Sequence, residues 1–205
     1  MLPKLRNNPW LKIWTQPRTT IREIVAFNPK FRFFILAWIY GFVTILHTSQ
    51  NFSLGTNLSL PAILASGVIL ALLFGVVGIS ITSWVLQWTG KWIGGTASYH
   101  EIRAAVSWSN VPNIINIFMW LILVGYFGSS VLTNTFAQKP FVGIDLYIVI
   151  PIFLVQFAVS IWSLVILITT LSEVQGFSGW KALLNLLIPI AMISIILWLL
   201  TALKF

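Results

Sequence analysis

Side chains able to do acid, base, nucleophilic or metal chemistry are scarce in this chain of 205 residues, which has four carboxylates, two histidines and no cysteine. The acids are Glu23, Glu101, Asp145 and Glu173, and the histidines are His47 and His100. Without cysteine there is neither a thiolate nucleophile or metal ligand nor a disulfide framework. A metal site needs several converging ligands, and an aspartyl intramembrane protease needs two aspartates where this chain has Asp145 alone. The nucleophile elbow Gly-x-Ser-x-Gly is absent, since Gly176-Phe-Ser-Gly179 lacks the last spacing, and no Gly-rich run precedes a Lys-Ser or Lys-Thr pair. The expectation is a non-enzymatic protein with no catalytic residues, no cofactor and no metal.

The stretch densest in special residues runs from Lys91 to Pro112. Gly94 and Gly95 permit backbone angles closed to other residues, Ser98 with Glu101 three residues on reads as a capping box, and Pro112 opens the next apolar block. This predicts a loop and then a short helix from Tyr99 to about Ser109, lying at the membrane surface with Trp108 as its anchor. Glu101 and Arg103 are of the right type to hold a polar headgroup, although a capping carboxylate and an interfacial cation explain them more simply. A second polar loop, Ser172 to Lys181, contains Glu173. Gly94, Gly95, Ser98, Glu101, Arg103, Pro112 and Glu173 are therefore the candidate contacts for lipid or partner. The two loops are alike in order, Gly95, Ser98, Tyr99, Ala104 and Pro112 against Gly176, Ser178, Trp180, Ala182 and Pro189, which hints at a parallel repeat of two helical hairpins.

The elements that must position these loops are oily helices. Hydrophobic residues make up 58 % of the chain and charged ones 8 %, and the apolar residues fall in runs longer than the roughly 18 that mark a spanning helix. The fold class is all-α: a polytopic membrane protein with five transmembrane helices preceded by a short amphipathic helix. Residues 1–32 form a basic amphipathic segment and 33–205 a five-helix domain, with spans at about 33–49, 61–88, 111–132, 146–171 and 182–203. Gly67, Ala71 and Gly75, four residues apart, form a seam where another helix can approach closely. Pro189 should kink the last span. The Gln50–Ser59 connector is polar and uncharged, with no capping features. The spans hold only mild polar residues, among them Asn116, Gln156 and Asn185, which counts against a proton-coupled transporter or voltage sensor.

The net charge of +8 is concentrated before the first span, in Lys4, Arg6, Lys12, Arg18, Arg22, Lys30 and Arg32. Apolar Trp10, Ile13, Trp14, Ile21 and Ile24 follow a helical stripe, Pro17 breaks the helix in two, and Thr20 with Glu23 supplies a capping box for its second half. Trp10, Trp14, Arg18 and Arg22 are the candidate membrane-surface contacts, with anionic headgroups rather than nucleic acid as the partner. The basic start is too long and Trp-rich for a signal peptide and is read as part of the mature chain. With the N-terminus inside, ten of the twelve basic residues face the cytoplasm and only Lys139 and Lys204 the far side.

Three segments resemble the Yip family, five-span membrane proteins first linked to Rab-type GTPases in vesicle traffic. They are Trp14-Thr-Gln-Pro-Arg-Thr-Thr-Ile-Arg-Glu23, Gly94-Gly-Thr-Ala-Ser98 with Pro112 beyond it, and Glu173-Val-Gln-Gly-Phe-Ser178 before Ala182. The resemblance implies an all-helical domain with a cytosolic N-terminus. Eukaryotic members carry a long polar N-terminal region, against about 30 residues here, so the resemblance points to a bacterial inner-membrane relative and away from Rab binding. Two functions compete: an organiser binding lipid, other membrane proteins or its own copies through the cytoplasmic loops, and a small permease or lipid-handling protein with a cavity lined by residues such as Asn116, Gln156 and Asn185.

Overall fold

A computed structural model describes residues 8–202, all helix and connection with no strand among them. Lys4, Arg6 and Lys204 of the charge count, and Leu203 of the last expected span, lie outside the described residues. The helices are α1 (Pro9–Lys12), α2 (Pro17–Phe27), α3 (Phe33–Asn51), α4 (Leu60–Trp92), α5 (Tyr99–Trp108), α6 (Asn113–Phe127), α7 (Ile144–Gln175) and α8 (Gly179–Ala202). Five segments are long and apolar enough to cross a membrane: α3, α4, Asn113–Leu132, α7 and α8. The third is α6 extended by a 3-10 turn, Gly128–Leu132, where Gly128 at φ +63° ends the α-helix. α8 runs unbroken through Pro189.

The start divides at Pro17 as expected, but not by the expected cap. Pro17 is the first residue of α2, where its missing N–H costs nothing, and Thr20 lies inside the helix with its hydroxyl donating to the Gln16 carbonyl at 2.7 Å. Glu23 is engaged elsewhere, in a 2.7 Å ion pair with Lys12.

The chain forms two compact units. One comprises Arg32–Ile79 and Ser109–Val165. Here the seam on α4 packs against α3. A Cβ on Gly41 would run into the Ala71 carbonyl, and one on Gly75 into the Ala37 carbonyl, so the two backbones touch where side chains would otherwise hold them apart. Trp38 donates its indole N–H to the Val68 carbonyl at 3.0 Å and stacks on Phe42. Around the seam Phe42, Leu46, Ile63, Trp120, Leu123, Val131 and Phe136 form a continuous core. The Gln50–Ser59 connector is more ordered than its composition predicts. It holds a 3-10 turn at Leu54–Thr56, Ser53 accepts from the Asn134 N–H at 3.0 Å, and Gln50 donates to the Val131 carbonyl at 2.8 Å.

The other unit comprises residues 8–31, Ser80–Trp108 and 166–202. It gathers the two N-terminal helices, the ends of α4 and α7, α5, and α8. Ile13, Ile21 and Ile24, the stripe expected to face lipid, are completely buried in protein, with α2 packed on α5. α8 buries Ala182 and Asn185 and leaves Ile190, Ile193, Leu197 and Trp198 exposed, the surface of a helix that meets lipid rather than water.

Candidate functional site

The loop between α4 and α5 is built on two glycines that serve different ends. Gly94 has φ +91°, a conformation that side chains resist, and turns the chain out of α4. Gly95 was expected to share that conformation and does not. Its Cβ would instead meet Oε1 of Gln175 and lie 3.0 Å from the Gly90 carbonyl, so the position demands closeness rather than unusual angles. Gly95 N–H donates to that carbonyl at 2.8 Å.

Gln175, 2 % exposed at the end of α7, is the hub. Its side-chain oxygen accepts from the Ala97 N–H at 3.4 Å and its amide nitrogen donates to the Leu86 carbonyl at 3.4 Å. Its own carbonyl accepts from the Thr96 N–H at 3.4 Å. A second buried amide completes the arrangement: Asn185 donates to the Leu86 carbonyl at 3.1 Å and accepts from the Thr89 hydroxyl at 2.6 Å. The permease reading would have Asn185 line a cavity, but both ends of its amide are engaged in the core of this unit. A buried amide left unmatched is costly, and here mutual satisfaction fixes the loop in one shape.

Beyond the hub the capping box closes in both directions, Ser98 N–H donating to Glu101 Oε2 at 2.7 Å and Glu101 N–H to Ser98 Oγ at 3.4 Å. The helix it starts packs one face into the unit and leaves His100 exposed. Ile102 and Ala104 through Trp108 are buried, and Trp108, expected as an interfacial anchor, packs between Trp10 at 5.4 Å and Phe31 at 6.2 Å. Arg103 sits over the Tyr99 ring at 5.4 Å. Trp14 is half-buried.

The second loop receives the basic start. Arg22 Nε donates to Glu173 at 2.7 Å, which raises the guanidinium above its ordinary range through that hydrogen bond and the adjacent negative charge. Arg18 reaches Ser172 Oγ at 3.4 Å. Gly176 at φ +72° and Ser178, whose hydroxyl accepts from the Lys181 N–H at 3.5 Å, open α8 much as Gly94 and Ser98 open α5. Gly94, Gly95, Ser98, Glu101, Arg103 and Glu173 thus belong to one unit, together with Trp10, Trp14, Arg18 and Arg22. Pro112 belongs to the other unit, where it precedes α6.

Gly95 is conspicuous in the sequence, but its partners Gln175 and Gly90 are not. The available signal was Gly90 and Gly95 five residues apart at the end of an apolar run. Among the described residues no group of three or more His, Asp or Glu side chains is placed to hold a metal ion.

The model of the Yip1 domain matches residues 11–201, nearly the whole chain. The curated proteins and the solved structures returned no match.

Proposed function

The chain belongs to the Yip1 domain family of membrane proteins, and from that premise we propose that it is a non-enzymatic membrane organiser that holds lipid headgroups or partner proteins on its two polar loops. The observation that carries this reading is the Gln175 hub, which keeps the first loop in one shape, while the Arg22–Glu173 pair fastens the N-terminal helix to the second. A rigid presenting surface recognises partners at low entropic cost. The carboxylates that chemistry would call on already hold structural partners: Glu23 on Lys12, Glu101 on its cap, Glu173 on Arg22 and Asp145 on the Tyr126 hydroxyl. The excess of basic residues on one side supports a cytoplasmic position for both loops.

The test is a photocrosslinking amino acid at exposed His100, in intact membranes. Discrete lipid or protein adducts support the reading, and their absence on illumination removes it. A second reading, a small permease or lipid-handling protein, draws on four buried polar atoms of the unit holding α6: Ser49 Oγ, Asn116 Oδ1, Gln156 Nε2 and Ser163 Oγ make no hydrogen bond to another protein group. Solute flux through the protein in proteoliposomes, abolished by Asn116→Leu, would favour it.

A further inference from the structure

Three asparagines at three-residue spacing lead into α6, and their side chains are bonded to one another. Asn113 Nδ2 donates to Asn110 Oδ1 at 2.9 Å, and Asn116 Nδ2 donates to Asn113 Oδ1 at 2.9 Å. The ladder has a direction. Each nitrogen is given to the residue before it, so the inner end is an oxygen, Asn116 Oδ1. Asn110 and Asn113 are half-buried, whereas Asn116 is 4 % exposed, so the ladder runs from the margin of this unit into its interior.

No group among the described residues donates to that oxygen. One turn further along the same face of α6, Trp120 is 2 % exposed, and its indole N–H has no acceptor among the described residues. The indole belongs to the core of this unit and meets the His47 ring edge to face at 5.2 Å. A buried acceptor and a buried donor therefore lie one turn apart, each costly to leave unmatched, and lipid tails can partner neither. A hydroxyl can partner both at once, since it donates through hydrogen and accepts through oxygen. The amide and the indole carry no charge, which suits a neutral ligand.

We propose that Asn116 and Trp120 form a binding site for one water molecule, which donates to Asn116 Oδ1 and accepts from Trp120 Nε1. Buried waters are held in this way, by about two to four polar groups that the protein leaves unmatched. Water is favoured over a lipid hydroxyl because both side chains are closed to the surface, and a water needs the least room. The asparagine ladder gives it a polar route of exchange. The site lies in the unit that does not contain the two loops, so the inference goes beyond the proposed function: it makes the start of α6 a hydrated element within the transmembrane domain.

The experiment is NMR of the full chain in phosphatidylcholine nanodiscs, with its 11 tryptophans isotope-labelled at the indole nitrogen. The Trp120 signal is the one lost in Trp120→Phe. In the wild type its N–H shows a through-space cross-peak at the water frequency, although the residue is buried. In Asn116→Leu that cross-peak disappears while the remaining indole signals keep their positions. His47→Phe retains it, since the imidazole takes no part in holding the water. Absence of the cross-peak from the wild type overturns the site, and this decides the matter even if Asn116→Leu fails to fold. Survival in a folded Asn116→Leu overturns it too. Loss in His47→Phe traces the signal to proton exchange through the imidazole, and cross-peaks to lipid glycerol protons make a lipid hydroxyl the occupant; either result refutes bound water.

Discussion

Replacing Gly95 by alanine should damage the loop chiefly through Gln175, with the Gly90 carbonyl, 3.0 Å from the new methyl, a lesser contact. The added methyl meets Gln175 Oε1 and comes within 2.8 Å of Gln175 Cδ, so the amide, 2 % exposed, must move. Displacing it breaks the bonds to the Ala97 N–H and the Leu86 carbonyl. At about 1 kcal/mol each, the loss is about 2 kcal/mol. Gln175→Ala removes the same two bonds and should cost about as much. In the double variant the methyl no longer meets an amide, so the two effects overlap, with a coupling of about 1 to 2 kcal/mol. Gly94→Ala is the control. Its methyl meets nothing within 4 Å, and its cost, about 1 to 3 kcal/mol, comes from φ +91° and persists whether or not Gln175 is present. Equilibrium unfolding in mixed micelles, followed by circular dichroism, measures all the variants. If Gly95→Ala costs the same with and without Gln175, the hub does not organise the loop and the reasoning fails.

Other outcomes follow from the same geometry. Ser98→Ala should cost about 0.5 to 2 kcal/mol and speed amide exchange across residues 99–109, because it removes one half of a closed capping box. Gly75→Val drives a branched side chain into the Ala37 carbonyl, so the loss should exceed the roughly 1 to 3 kcal/mol of ordinary overpacking and show as loss of monodisperse protein in detergent. Asn116→Leu should change the unfolding midpoint little, since it gives up the 2.9 Å bond from Asn116 Nδ2 to Asn113 Oδ1 but also removes a buried acceptor, Oδ1, with no protein partner; a marked fall would mean that a protein group engages Oδ1 as well.

The spans were legible because lipid demands unbroken apolar runs, and the α3–α4 seam because Gly67, Ala71 and Gly75 keep helical spacing. Hydropathy placed helix ends less well. α4 continues to Trp92 and α7 to Gln175, through polar residues that a helix tolerates once it leaves the bilayer, and each stops near a glycine at positive φ, Gly94 or Gly176. The other half of the seam, Ala37 and Gly41, carries the same four-residue signal in the first span. Trp108 misled because an indole at a span end fits an interface as well as it fits Trp10 and Phe31. The hub was hidden for a different reason: Gln175 meets Ala97 across 78 residues of chain, and no local pattern encodes which distant glycine will make room for an amide.

The proposed placement of the loops on the cytoplasmic face underlies the proposed function, and single cysteines test it directly in a chain that has none. Ser98 caps a helix and Ser53 accepts a hydrogen bond, so the labels belong at the exposed positions His100, Asn57 and Lys139. An impermeant thiol reagent applied outside intact cells should modify Asn57→Cys and Lys139→Cys and spare His100→Cys until the membrane is opened. Labelling of His100→Cys from outside, with the other two protected, would contradict the account.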